Sequence, residues 1–299
     1  MATAREIKRR IRSIKNIAKV TGALEAVAAS KVRRAQNQAM ASREYTAAAV
    51  DILRELTRFR TEGITHPLLD ERPSAENVLV ILITSDRGLA GPYNANMIRR
   101  ALRFERAHFA NVSYIAVGKK GRDVLLRRGA TIVAEFTDIP DRPAIPDITA
   151  INRAAVDEFL GGDVDEVYVA YTDFINTLHQ EPVVRRLLPL LPEERHTDQK
   201  PESDRHAVEP PGPHPVFEFE PNIDAILDEI LPRFNEVLLF QDLLEALASE
   251  HSARMVAMRS ATENANALVD DLTLTYNKAR QLAITSEMLD IVGGAEALG

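Results

Sequence analysis

Three groups of residues in this 299-residue chain have types and spacings that could support chemistry. The first is a pair of glycine-containing turns, Ser85-Asp86-Arg87-Gly88-Leu89-Ala90-Gly91 and Gly118-Lys119-Lys120-Gly121, each following an apolar run. Glycine turns after strands can expose backbone N–H groups to a phosphate at a helix N-terminus. The spacing argues against that use. Gly88 and Gly91 do not form G-x-G-x-x-G, Gly118 to Gly121 is not G-x-x-x-x-G-K-[ST], and no Ser or Thr stands where a magnesium ion would need it. Tight turns that cap strands are the expected role. The second group, His196, His206 and His214 among acidic residues, could in principle hold zinc, but separations of ten and eight residues match no helical or finger spacing. The third is Ser85-Asp86-Arg87, which lacks a partnered histidine, while Asp173 and His179 lie on opposite sides of an apparent strand end with no nucleophile beside them. No catalytic residue, cofactor site or metal site is expected.

The elements that would position any such group divide into two long ends and a middle. Residues 3 to 58 and 233 to 292 are proline-free with helical periodicity. In the second stretch Leu244, Ala248, His251, Met255, Met258, Thr262, Ala265, Val269, Leu272, Tyr276 and Ala279 alternate steps of four and three, a heptad seam. At about 1.5 Å per residue such a helix could run roughly 90 Å, more than one domain core can cover. The first stretch could reach roughly 80 Å at the same rise. Its apolar side is expected at Ile7, Ile11, Ile14, Ile17, Val20, Leu24 and Val27. From Ile14 the steps tighten to threes, so the stripe should drift around the helix rather than keep a strict heptad. An ordinary bundle folded back on the middle of the chain is the alternative to a coiled coil.

The middle reads as alternating strands and helices. Residues 78 to 83 form a continuous apolar run, followed by a helix from about Ala95 to Ala107, a strand at 112 to 117, a helix to about Arg128, a strand at 131 to 136, a helix at 149 to 160 and a strand at 166 to 172. That alternation predicts a mostly parallel sheet in a three-layer α/β sandwich. Residues 189 to 221 carry eight of the 16 prolines and read as a surface loop.

Composition narrows the function classes. The chain has no cysteine, which removes disulfides, thiolate metal sites and thiol redox switching. No run approaches the roughly 20 apolar residues a bilayer crossing needs, so no direct membrane insertion is expected. Net charge is -7, yet Arg5, Lys8, Arg9, Arg10, Arg12, Lys15, Lys19, Lys31, Arg33 and Arg34 crowd the first 34 residues against only Glu6 and Glu25. A basic end on an acidic protein fits an anionic partner, whether acidic protein loops, nucleic acid or lipid headgroups, and equally a removable targeting peptide or a solvated face. Nothing else in the chain supports nucleic acid.

Five segments, in order and spanning almost the whole chain, carry a resemblance. They are Ile7-Lys8-Arg9-Arg10-Ile11 leading to Val27-Ala28-Ala29-Ser30-Lys31, Thr84-Ser85-Asp86-Arg87-Gly88-Leu89, Phe174-Ile175-Asn176-Thr177, Ser249-Glu250-His251-Ser252-Ala253-Arg254-Met255-Val256-Ala257-Met258, and Tyr276-Asn277-Lys278-Ala279-Arg280-Gln281-Leu282-Ala283-Ile284-Thr285. Together they resemble the gamma subunit, or central stalk, of the rotary ATP synthase. The resemblance implies a long antiparallel coiled coil of the terminal helices (residues 1–60 and 222–299), a central Rossmann-like α/β domain (75–190) and the proline-rich loop (189–221). It implies a non-catalytic rotor shaft of a proton-translocating enzyme. The expected partners are three alpha and three beta subunits around one copy, an epsilon subunit and a membrane ring of c subunits. The chain would then be peripheral to the cytoplasmic face of the cell membrane, attached through other subunits. By motif, Arg254, Arg280, Gln281 and Thr285 would contact the surrounding ring, and Lys31 an acidic beta-subunit loop. Where the family usually has Lys-Ala-Met-Glu-Met-Val, this chain has Gly22-Ala23-Leu24-Glu25-Ala26-Val27, which places a glycine inside the helix at about 1 kcal/mol relative to Ala. Two other readings remain: a homodimeric coiled-coil scaffold, and a nucleotide-dependent enzyme with a degenerate phosphate loop.

Overall fold

The computed structural model describes residues 4–58, 66–72, 75–108, 111–190 and 223–296. The three spaced histidines and nearly all of the proline-rich stretch lie outside the described residues. The chain divides into two compact units, Met1–Ser30 with Arg254–Gly299, and Lys31–Ala253. Helices α1 (Ala4–Arg58) and α5 (Ile223–Glu296) contribute residues to both.

In the first unit α1 and α5 pack side by side and antiparallel, since Thr21 meets Thr262 while Glu25 meets Arg259. On α5 the side chains turned inward are Met255, Met258, Thr262, Ala265, Val269, Leu272, Tyr276 and Ala279, the heptad read from the sequence. On α1 the expected stripe is wrong after Ile14. Ile17, Val20, Leu24 and Val27 are exposed at 51%, 59%, 36% and 54%. The covered positions are instead Ile7, Ile11, Ile14, Ala18, Thr21, Glu25 and Ala28, which keep the four-three alternation without drift. The physical reason is size. Small residues such as Ala18, Thr21 and Ala28 let two helices pack together, and a search for large apolar side chains passes over them.

The second unit holds the sheet. Strands β1 (Asn77–Ile83), β2 (Asn111–Val117), β3 (Thr131–Phe136) and β4 (Glu166–Phe174) are mutually parallel, and β5 (Gln180–Leu188) adds antiparallel beside β4, giving the order β3-β2-β1-β4-β5. Helices α2 (Tyr93–His108) and α3 (Lys119–Arg128) cover one face over Val78, Val80, Leu82, Tyr114 and Ala116. Helix α4 (Ile145–Gly161) covers the other face over Leu79, Ile81, Ile83, Ile115 and Val169, together with residues Leu227 to Ala246 of α5 and Val50 of α1. β1 is therefore buried on both faces, as its unbroken apolar run requires.

Two details depart from what periodicity alone predicts. α5 starts ten residues before Arg233 and runs through Pro232, which cannot donate to the preceding turn. Its carbonyl accepts from Asn152 Nδ2 of α4 at 3.2 Å. β5 had no counterpart in the sequence reading, because Pro182, Arg185 and Arg186 interrupt its alternation. As an edge strand it tolerates the proline.

Candidate functional site

The glycine turns are built from the ends of β1 and β2. Lys119 N donates to Asp86 Oδ1 at 3.0 Å, Lys120 N to Ser85 O at 3.1 Å, Gly121 N to Thr84 Oγ1 at 2.8 Å and Arg122 N to Gly118 O at 3.3 Å. The N–H groups of the first turn of α3, the ones that would cradle a phosphate, are thus spent inside the protein. A Cβ on Gly118, whose φ is +94°, would lie 2.1 Å from Thr84 O, so the two turns are locked backbone to backbone. Ser85 Oγ donates to Arg87 O at 2.6 Å and accepts from Asn94 Nδ2 at 2.8 Å, a turn-stabilising arrangement with no base beside it.

The strand order reverses between β1 and β4, the position where an open parallel sheet ordinarily takes a ligand beyond its strands' carboxyl ends. Here the chain's own helices take it. Tyr93 Oη donates to Ala246 O of α5 at 3.1 Å, and Arg43 Nη2 of α1 donates to Phe174 O at the end of β4 at 3.2 Å. Asp173, beside Phe174, neighbours Glu245 of α5. Glu245 Oε1 also accepts from Arg43 Nε at 3.1 Å and Gln241 Nε2 at 2.7 Å. Asp242 and Tyr171 complete this buried polar group, with Arg185 Nη2 3.6 Å from Asp173 Oδ2 and its guanidinium over the Tyr171 ring. Burial and the neighbouring Glu245 carboxylate push the Asp173 carboxyl up to about 7. Burial alone would raise Glu245 as well, but the neighbouring Asp173 and the hydrogen bonds from Arg43 and Gln241 hold it below its usual range. One signal of this group is visible in the sequence, two acids set in the apolar run Val237 to Ala248. The partners come from positions 43, 173 and 185, which no motif connects.

The residues carried over by motif fall in different units. Lys31 sits on the sheet unit, its Nζ 2.5 Å from Asp141 Oδ2, and His251 Nε2 is 3.6 Å from Asp141 Oδ1. Burial works against the Asp141 charge, but the Lys31 ammonium outweighs it and holds the carboxyl below its usual range. Arg254 is half-buried on α5. Arg280, Gln281 and Thr285 stand exposed on α5 in the other unit, where Thr285 Oγ1 donates to Gln281 O at 3.0 Å.

The seam ends at Ala279. Every residue from Arg280 to Leu289 is exposed, and the apolar ones are large: Leu282 at 65%, Ile284, Met288 and Leu289, followed by Ile291 at 71% and Val292. Exposed apolar surface of this extent is unusual on a protein that acts alone. Among the described residues no helix is long and apolar enough to cross a membrane, and no three His, Asp or Glu side chains converge as metal ligands.

Comparisons with known proteins agree on one family. The profile described as ATP synthase matches residues 3–298. The chain is 47% identical to the ATP synthase gamma chain of Roseiflexus sp. (strain RS-1), over all of this chain and 99% of that one. It is 47% identical to that of Herpetosiphon aurantiacus, at the same coverage. In fold it resembles a chain of the Euglena gracilis mitochondrial ATP synthase in a structure of OSCP, F1 and c-ring, with TM-score 0.65, 20% identity, and coverage of 99% of this chain and 94% of that one. A chain of the Tetrahymena thermophila mitochondrial central stalk and c-ring aligns with TM-score 0.59 at 22% identity, covering 81% and 99%.

Proposed function

This chain belongs to the ATP synthase gamma-chain family, and from that premise we propose that it is the rotor shaft of a proton-translocating ATP synthase. One copy passes through a ring of three alpha and three beta subunits and sits with an epsilon subunit on the membrane ring of c subunits. Catalysis belongs to the ring, and this chain supplies no reacting group. It is held at the cytoplasmic face of the membrane through its partners.

The observation that carries this reading is the uncovered end of α5. Some ten residues beyond Ala279 place Leu282, Ile284, Met288 and Leu289 in solvent, with none of the other described residues over them. A surrounding ring would cover them, and the exposed Arg280, Gln281 and Thr285 would meet its polar loops. Lys31, already paired with Asp141, would share its charge with a beta-subunit loop.

The mechanism follows from symmetry. A single helix pair is asymmetric, so inside a three-fold ring it presents a different face to each catalytic site. Contacts that differ between sites bias each toward a different conformation. Turning the shaft moves the bias to the next site. Stiffness is required for the turn to be transmitted, and the continuous i to i+4 ladder of α5, without glycine from Arg233 to Val292, supplies it.

The test is native mass spectrometry of this chain co-expressed with alpha and beta subunits, followed by ATP hydrolysis by the complex. One copy per three alpha and three beta, with hydrolysis impaired when the chain is cut after Asn277, supports the shaft. A homodimer that binds neither subunit overturns it and favours the scaffold.

A further inference from the structure

We propose that the outer face of α2 and α3, on the side of the sheet away from α1 and α5, is an electrostatic docking surface for a bilayer rich in anionic phospholipid headgroups.

Charge is unevenly placed on this chain. Its net charge is -7, yet residues 93–130 hold nine Arg and Lys against two acids, Glu105 and Asp123, a local excess of +7. Both acids are engaged inside the layer. Tyr114 Oη donates to Glu105 Oε2 at 2.7 Å, and Arg122 Nη2 donates to Asp123 Oδ1 at 2.9 Å. Lys119 pairs with Asp138, and Arg122 also faces Glu135 at 3.8 Å. The other arginines are not spent in this way. Arg99, Arg100, Arg103, Arg106, Arg127 and Arg128 are exposed, and among the described residues no carboxylate lies within ion-pair distance of them. Arg99 reaches only the neutral Asn96 Oδ1, at 3.2 Å.

Helical spacing puts these guanidiniums on one surface. Arg99, Arg103 and Arg106 follow steps of four and three along α2, opposite Met97, Ile98 and Ala101, which pack on the sheet. Arg127 and Arg128 end the neighbouring α3, whose Leu125 is buried against the same sheet face. The opposite face of the sheet is taken by α4, α1 and α5. The basic stripe therefore belongs to the side that the chain's own described helices leave open.

Three features select headgroups over other anions. The guanidiniums are spread along two helices rather than gathered around one point, which suits many phosphates lying in a plane, and their planar forks match phosphate oxygens. No aromatic ring among the described residues of this layer is turned outward for a nucleic-acid base to stack on: Tyr93 and Tyr114 are buried, and Phe104 lies against Tyr168 with centroids 4.7 Å apart. Leu126, 58% exposed, stands beside Arg127 and Arg128, and an apolar side chain among arginines fits the headgroup region, where it sinks below the phosphates that the guanidiniums hold. The acidic parts of the chain are repelled by the same surface, so the patch also sets which side approaches it. Such contact requires neither the rotor role nor a helix that enters the bilayer.

Flotation of the full chain with lipid vesicles is the test. At low salt the wild type is expected to bind phosphatidylcholine vesicles containing about 30% phosphatidylglycerol, to leave pure phosphatidylcholine unbound, and to dissociate as salt rises. At about a fivefold loss per charge removed, the triple variant Arg99→Gln, Arg103→Gln, Arg106→Gln should bind about 100-fold more weakly, and Arg127→Gln with Arg128→Gln about 25-fold more weakly. The two sets lie on different helices, so either one tests the surface if the other misfolds. Arg142→Gln, Arg153→Gln, Arg233→Gln removes as many exposed charges outside the layer and should bind as the wild type does. Wild-type binding that does not distinguish anionic from neutral vesicles, or equal losses in the two triple variants, overturns the proposal. So does tighter binding to soluble polyglutamate than to the anionic vesicles, which would assign the face to an acidic protein.

Discussion

Thr21 and Thr262 join hydroxyls at 2.7 Å across the two antiparallel helices, beside Gly22. Each hydroxyl also lies within reach of a carbonyl on its own helix, Ile17 O for Thr21 and Met258 O for Thr262. One hydroxyl therefore donates across the seam while the other bonds back to its helix. Removing one member by Thr→Val is expected to cost about 1 kcal/mol. A double-mutant cycle of Thr21→Val and Thr262→Val, read by urea denaturation, should show a coupling of about 0.5 kcal/mol or more. Strict additivity would mean that the contact contributes nothing.

Gly22 and Gly118 should respond to alanine in opposite ways. A Cβ at Gly22 would rest 3.9 Å from Thr262 Cγ2, an ordinary contact, and the helix gains propensity, so Gly22→Ala should stabilise the chain by about 0.5 to 1 kcal/mol. Gly118→Ala would drive a Cβ into Thr84 O from a positive-φ backbone and should cost about 2 kcal/mol or more. Denaturation midpoints of the two variants check both signs.

The corrected seam makes a sharp contrast between neighbours. Ala28 is covered and Val20 is exposed, although apolar size alone would rank them the other way. Ala28→Leu should overpack the helix pair and cost about 1 to 3 kcal/mol. Val20→Ala should stay within about 0.5 kcal/mol. Equal effects on thermal unfolding would contradict the seam.

Asp165 ties the start of β1 to the sheet unit. It accepts from Asn77 N at 2.9 Å, Glu76 N at 3.0 Å and Arg72 Nη1 at 3.2 Å. The Asn77 N–H, above all, holds its carboxyl below the usual range, with Arg72 adding to the effect. A carboxyl depressed on folding contributes fully above its unfolded value, about 3.9, and the contribution disappears as pH falls through the folded value. Asp165→Asn should therefore destabilise the chain at pH 7 and make much less difference at pH 3. A penalty independent of pH would show that packing, not charge, is what Asp165 supplies.

What could be read from the sequence follows from what its residues signal singly. Met258, Ala265 and Val269 announced the α5 seam because its periodicity is regular and mostly apolar. The continuous run at β1 announced a strand buried on both faces. Ala18 and Ala28 announced nothing, because a close helix approach selects small residues that look the same in any helix. Pro232 hid the true start of α5 from the periodicity, and Pro182 with Arg185 and Arg186 hid β5. The acid group was invisible for a different reason. Arg43, Asp173, Arg185 and Glu245 are ordinary residues far apart in the chain, and only the fold brings them together. Lys31, by contrast, was singled out by motif, and its Asp141 partner emerged only from the fold.

Rotation within an intact complex tests the rotor assignment most directly, and the absence of native cysteine makes the experiment clean. Leu178, at the exposed turn between β4 and β5, can be replaced by Leu178→Cys to give this chain a single attachment point. With the ring fixed to a surface through its beta subunits and a bead on that residue, ATP should drive unidirectional rotation with three-fold pauses. A bead that stays still while the same complexes hydrolyse ATP at full rate would contradict the account.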